Sequence, residues 1–263
     1  ADGSLNTLEQ PTRFSTVMAR ARANGVKTGI SISGTKSIFV TMAASPTARQ
    51  LFVKNVVAFA VSNQMDGVDM DWEYPSTSDG SADTYILLMK ELSDELHKNN
   101  KFLSAAITPG VYAGSVRDGM KAAVFPSVDF FNIMVYDGIG WDSAEPIQHS
   151  SYNMAVASLN YWISTRGMPK EKAVLGIPAY GKNASNTSKA YRDFVTANAD
   201  VSLDYATIDN VLYYFNGTLT TKKKAKLAKE TANGIMFWEF YHDDNGANSI
   251  IRAANDELGR NYN

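Results

Sequence analysis

Three acidic residues at alternate positions, Asp69, Asp71 and Glu73, are the side chains here best spaced to do chemistry together. They lie in the run Asp66-Gly67-Val68-Asp69-Met70-Asp71-Trp72-Glu73-Tyr74-Pro75. In a β-strand successive side chains point to opposite faces, so the three acids share one face and Val68, Met70 and Trp72 the other. Same-face neighbours sit roughly 7 Å apart. At an effective dielectric of ~20, two charges at that distance repel by about 2 kcal/mol. Repulsion of that size keeps at least one carboxyl protonated near neutral pH, the state a general acid needs. Two other readings compete. A solvated edge strand would leave the acids in water, but the opposite face is apolar and ends in Trp72. Three carboxylates could also hold a hard cation, yet the chain has only three histidines, His97, His149 and His242, and none is an obvious partner. Asp66 falls off the shared face and reads as structural, at the strand's start.

The elements that must position this row follow from hydrophobic patterning. Strands are predicted near Val26–Ser33, Gly67–Glu73, Phe102–Thr108, Phe130–Tyr136, Ala173–Tyr180 and Gly234–Tyr241. Helices are predicted over Pro11–Asn24, from Ser45-Pro46 to about Asn63, and over Asp83–Asn99, Tyr152–Arg166, Lys189–Asn198, Thr221–Asn233 and Ala247–Leu258. Gly25 suits a helix C-terminus, and Ser45-Pro46 an N-cap followed by a first-turn proline. Strands alternating with helices imply parallel βα units. Almost every strand ends in polar or turn-forming residues, such as Ser33-Gly34, Tyr136-Asp137 and Tyr180-Gly181. That favours an α/β fold of the (β/α)8 TIM barrel type, whose active face is built at the strand C-termini, over an open sheet with one switch point. Only six strands are readable where the barrel needs eight, so the barrel reads as N-terminally incomplete. No linker or repeat divides the chain, which reads as a single catalytic barrel domain over residues 1–263.

Composition narrows the functional classes. The net charge of −2 gives no general attraction to nucleic acid. No apolar run approaches a membrane span. There is no cysteine, so no disulfide framework. Ala1-Asp2-Gly3-Ser4 is not a signal peptide, which a mature chain would have lost. Oligomeric state is not legible, and no cofactor-binding motif appears.

The acidic run resembles the Asp-x-x-Asp-x-Asp-x-Glu signature of family 18 glycoside hydrolases, in the chitinase form ending Trp-Glu-Tyr-Pro. Ser31-Ile32-Ser33-Gly34 is similar to that family's third strand and Met134-Val135-Tyr136-Asp137 to its sixth. Gly176–Gly181 is similar to the seventh and Gly234–Glu239 to the eighth. The resemblance names strands one and two as the missing ones, with Asp2-Gly3-Ser4 similar to the segment after strand two. It implies hydrolysis of β-1,4-linked N-acetylglucosamine polymers by a retaining, substrate-assisted mechanism, without a cofactor. Glu73 would be the proton donor, Asp71 the residue orienting the acetamido group, and Asp69 the partner sharing a proton with Asp71. Tyr136 would hydrogen-bond the acetamido oxygen. Asp137 would contact sugar hydroxyls or help position the acetyl group, and Trp238 would floor the cleaved sugar. Trp141 would stack on a sugar beyond the cut bond. Met134 and Tyr180 would either line the site or fill core. The substrate partner implied is an N-acetylglucosamine-containing polysaccharide or oligosaccharide, and the location secreted, cell-surface or periplasmic.

Several features depart from the family pattern or stand outside it. Ser33 replaces a glycine, which would crowd the surroundings of Asp69. Lys182 stands where many relatives have arginine, keeping the charge but losing the planar fork. The stretch from Tyr180 to Gly234 reads as too short for the α+β insertion of some relatives, which favours internal over end-on cleavage. Trp162 reads as core. Lys222-Lys223-Lys224 reads as a solvated charged face, and three Asn-x-Ser/Thr sequons begin at Asn183, Asn186 and Asn216. An endo-β-N-acetylglucosaminidase acting on peptidoglycan or N-glycans, and a non-catalytic chitin-binding relative, are the alternative functions.

Overall fold

The computed structural model describes residues 1–260, so the last three residues of the expected single domain lie outside the described residues. The chain folds into two compact units, one of residues 1–108 and 113–131, the other of 109–112 and from 132 onward.

The first unit runs α1 (Pro11–Ala23), β1 (Gly29–Ser33), α2 (Lys36–Ala44), α3 (Pro46–Ser62), β2 (Gly67–Asp71), α4 (Ser81–Lys98), β3 (Phe102–Ile107) and α5 (Ser115–Gly119). Strands β1, β2 and β3 are parallel, with Ser31 beside Asp69, Ser33 beside Asp71, and Asp69 beside Ser104. The predicted boundaries hold within a few residues, and the proposed caps form. Gly25 adopts φ 63° just beyond α1, and the Ser45 hydroxyl accepts from the Ala48 amide at the start of α3. Helix α4 buries Tyr85, Leu88, Met89, Leu92 and Leu96, a single stripe at helical spacing. Trp72 is fully buried; it stacks on Phe39 of α2 at 5.3 Å between ring centroids and meets Tyr85 edge-on at 5.5 Å. The face opposite the acids is therefore core, and β2 is not a solvated edge strand. Ser33 lies opposite Asp71, not Asp69, and is exposed, so it does not crowd Asp69.

β4 (Phe130–Ile133) spans the boundary between the units. The second unit then runs α6 (Tyr152–Leu159), β5 (Ala173–Pro178), β6 (Tyr180–Asn183), β7 (Ser188–Ala190), α7 (Tyr191–Thr196), β8 (Tyr205–Ile208), β9 (Val211–Tyr214), α8 (Thr218–Thr231), β10 (Gly234–Trp238) and α9 (Ile250–Leu258). A π-helical turn over Asn160–Thr165 extends α6, and Trp162 within it is buried, as expected of a core residue. β5 and β10 are parallel, with Trp238 beside Pro178.

The stretch that reads as too short for an insertion nevertheless folds as a small α+β layer: an antiparallel sheet in the order β7-β6-β9-β8, with α7 beside it. Its core is made by Tyr191, Phe194, Tyr213 and Phe215, with Phe194 and Phe215 stacked 4.3 Å apart. Four strands of three or four residues need little chain, which is why length misleads here. A preference for internal cleavage, which followed from the expected absence of this layer, has no structural basis.

The lysine run is a second correction. Lys223 is exposed and Lys222 half-buried, but Lys224 is fully buried. The run lies inside α8, so residues one apart point about 100° apart around the axis and cannot share one solvated face.

Candidate active site

Asp69 is held from both sides along the sheet. Ser104 Oγ donates to its Oδ1 at 2.6 Å and Ser31 Oγ to its Oδ2 at 3.1 Å, from the positions that register with it on β3 and β1. Asp71, one pleat further, is different. Its Oδ1 is buried without a hydrogen-bond partner. Burial first, and then the charges of Glu73 and Asp69, push its pKa up to about 6. The carboxyl that is raised is thus the middle one of the row, with burial as the first cause and like charge the second. Burial, with Asp69 and Asp71 nearby, also raises the Tyr85 phenol, which stays protonated beneath them. β2 ends at Asp71, so Trp72 and Glu73 lie past the last ladder pair, and Glu73 is exposed at the strand's C-terminal end. Asp66 does serve structure: its carboxylate accepts from the Thr28 amide at 2.7 Å.

In the second unit, Tyr136, Asp137 and Tyr180 come together. Strand β4 stops at Ile133, three residues earlier than predicted, so Met134 and Tyr136 belong to the turn that follows it. Met134 is buried and Tyr136 half-buried. The Tyr136 and Tyr180 rings meet edge-on at 6.2 Å. Asp137 has φ 62°, a left-handed conformation that aspartate tolerates. Its Oδ1 accepts from Tyr180 Oη at 2.7 Å and from Lys182 Nζ at 2.6 Å. Burial alone would raise this carboxyl, but Lys182 and Tyr180 pull the other way and hold it well below the usual carboxylate range. Lys182 therefore holds an ion pair with Asp137.

His149 is completely buried, and burial lowers its pKa despite the opposing effect of Asp137. Its Nδ1 accepts from the Asp137 amide at 3.3 Å, which leaves the proton on Nε2 for the Tyr180 carbonyl at 3.2 Å. The neutral ring ties the turn carrying Tyr136 and Asp137 to the strand carrying Tyr180. Gly176 makes room for Tyr136: a Cβ there would stand 3.2 Å from the tyrosine ring and 2.5 Å from the Ile133 carbonyl. Trp238, at the end of β10, is half exposed at 53%, and its carbonyl accepts from the Ala179 amide next to Tyr180. Trp141 is half-buried, its amide bonded to the Gly138 carbonyl.

Sequence reasoning placed the acid row and the tyrosine turn but missed Ser31 and Ser104 as holders of Asp69, and His149 as the link beneath Asp137. The two serines were legible only through strand register. His149 carried no local signal at all.

The sequence matches the description of glycosyl hydrolases family 18 across residues 2–243. The chain belongs to glycosyl hydrolase family 18. It is 30% identical over 285 residues to a class V chitinase of Arabidopsis thaliana, covering 95% of this chain and 72% of that protein. A probable endochitinase of Caenorhabditis elegans is 26% identical over 252 residues; the match spans 85% of this chain and 40% of the nematode protein. A family 18 chitinase from the chitin utilization locus of Flavobacterium johnsoniae superposes with a TM-score of 0.82 at 26% identity, covering 97% of this chain and 82% of that one. The chain is thus a chitinase-like member of the glycoside hydrolases. Its fold class is α/β, of the (β/α)8 barrel type, with six of the barrel's strands among the described residues.

Proposed function

We propose that this family 18 member hydrolyses β-1,4 bonds between N-acetylglucosamine units, in chitin or its oligosaccharides, with retention and with the substrate's own acetamido group as nucleophile. The observation that carries the reading is the unpartnered, buried Oδ1 of Asp71. A buried acceptor without a donor is costly unless a ligand supplies one. The N–H of a 2-acetamido group is a donor of the right kind, and binding it also turns the carbonyl oxygen toward the anomeric carbon. On this reading Glu73, at the open end of the row, protonates the departing glycosidic oxygen and later takes a proton from water. The oxygen of the acetamido carbonyl attacks the anomeric carbon, and the resulting oxazolinium cation is stabilised by Asp71. Asp69, fixed by Ser31 and Ser104, accepts the proton that Asp71 carries near its raised pKa.

Tyr136 donates to the acetamido oxygen and holds it in line for attack on the anomeric carbon. Asp137, held ionised by Lys182 and Tyr180, binds sugar hydroxyls. Trp238 offers its exposed face as the floor beneath the sugar at the cut, Trp141 stacks on the next sugar, and Met134 and Tyr180 complete the walls. On this reading the chain is a single catalytic domain. Its natural setting on this reading is outside the cell or at its surface. Among the described residues no helix is long and apolar enough to cross a membrane.

The test is product analysis on N-acetylchitooligosaccharides by proton NMR. Retention predicts that the β-anomer appears first, and an analogue with a hydroxyl in place of the acetamido group is not turned over. Release of the α-anomer first, or turnover of the hydroxyl analogue, would refute the mechanism. Glu73→Gln is expected to lower kcat by about 10²–10⁴-fold with KM little changed.

A further inference from the structure

Lys224 is the one lysine of its run with no access to water, and it is fully satisfied. Its Nζ lies 2.7 Å from each of three acceptors: the Ser150 carbonyl, Ser150 Oγ and Asn216 Oδ1. Three acceptors match the three hydrogens of an ammonium group. Burial pushes its pKa down to about 7 against the pull of Asp204 and Glu145, so only this arrangement of acceptors makes a lysine tolerable there. The acceptors are not incidental. Asn216 Nδ2 also donates to the Ser150 carbonyl at 2.8 Å, and Ser150 Oγ donates a hydrogen bond to the Val135 carbonyl at 2.5 Å. Val135 is the residue before Tyr136. On the other side of Ser150, His149 takes the Asp137 amide with its ring and the Gly138 amide with its carbonyl, the latter at 2.8 Å. The three hydrogen bonds of Lys224 therefore end on Ser150 and Asn216, and Ser150 and His149 together brace the turn 135–138.

We infer that Lys224 is a positioning residue for the reaction: from inside α8 it clamps Ser150, and through Ser150 and His149 it fixes the conformation of the turn presenting Tyr136 and Asp137. It touches no substrate. Its effect on turnover rests on the proposed role of Tyr136, whereas its effect on the turn does not. Since Tyr136 on that reading holds the acetamido oxygen in line with the anomeric carbon, loosening the turn lowers kcat while ground-state binding is kept.

Lys224→Met keeps the length of the stem and removes the three donors. Kinetics on a chitooligosaccharide are to be measured at a temperature where circular dichroism shows the variant folded. The expected result is a kcat lower by at least about tenfold with KM changed less than about twofold. Amide hydrogen exchange is measured in parallel. At Asp137 and Gly138 it is expected to quicken by at least about tenfold, with the exchange of β5 unchanged. Ser150→Ala, which removes only the hydroxyl link to Val135, should show the same pattern more weakly, and it serves where Lys224→Met does not fold. An unchanged kcat in a folded variant, or unchanged exchange at Asp137 and Gly138, overturns the inference. If the wild type turns over no N-acetylated substrate while exchange quickens as stated, the proposed function fails and the clamp stands.

Discussion

Asp71 couples folding to chemistry at the scale of one side chain. Its folded pKa of about 6 lies above the ordinary value of 3.8, so between those limits the native state holds more protons than the unfolded chain. Stability from this group is complete below about pH 4 and is lost as pH rises through about 6. Asp71→Asn cannot ionise and should remove that loss. At pH 7 the variant is expected to be more stable by on the order of 1–3 kcal/mol, with the gain vanishing near pH 4, as read by urea unfolding at several pH values. It should also lose turnover, since an amide neither accepts a proton nor balances an oxazolinium charge. The shared face of Asp69 and Asp71 was legible because strand alternation is a local rule. The neutrality of His149 and the burial of Lys224 were not, because both depend on what packs around them from far along the chain.

At the scale of elements, the parallel strands and most helices were legible from periodicity, while their ends shifted. β4 closes at Ile133 because its hydrogen-bond ladder stops there, although the apolar pattern runs on to Val135. α2 was missed because Ile38, Phe39, Val40 and Thr41 favour strands locally. Its helix is selected by the burial of Phe39, Met42 and Ala43, which share one helical face. The small antiparallel sheet was missed because its strands are too short to show alternation. Its one local signal is Asp209-Asn210, both at positive φ, the two-residue turn that joins β8 to β9. Close packing between strands gives a prediction here. Gly176→Ala places a Cβ against the Ile133 carbonyl, which cannot swing aside, and should cost about 1–3 kcal/mol in thermal unfolding. Because the same Cβ presses on Tyr136, kcat should fall as well at temperatures where the variant remains folded.

For the molecule as a whole, charge is nearly balanced at −2, and chitooligosaccharides carry none. Long-range steering therefore has little to act on, and KM for such a substrate should change less than about twofold between low and high salt. A steep salt dependence measured by steady-state kinetics would point to a charged substrate instead. The fold class was legible from the order of strands and helices. The layer formed by α7 and the short strands was not, since its cohesion comes from aromatic packing between residues as distant as Tyr191 and Phe215. The four tryptophans are unevenly sealed: Trp72 and Trp162 are fully buried, Trp141 is half-buried and Trp238 is half exposed. That inequality is an optical contrast built into the chain. Collisional quenchers added to the native protein should dim chiefly the red-edge emission of Trp238, and a bound sugar lying over that indole should shield it. The emission of Trp72, boxed between Phe39 and Tyr85, should redden only when the first unit unfolds.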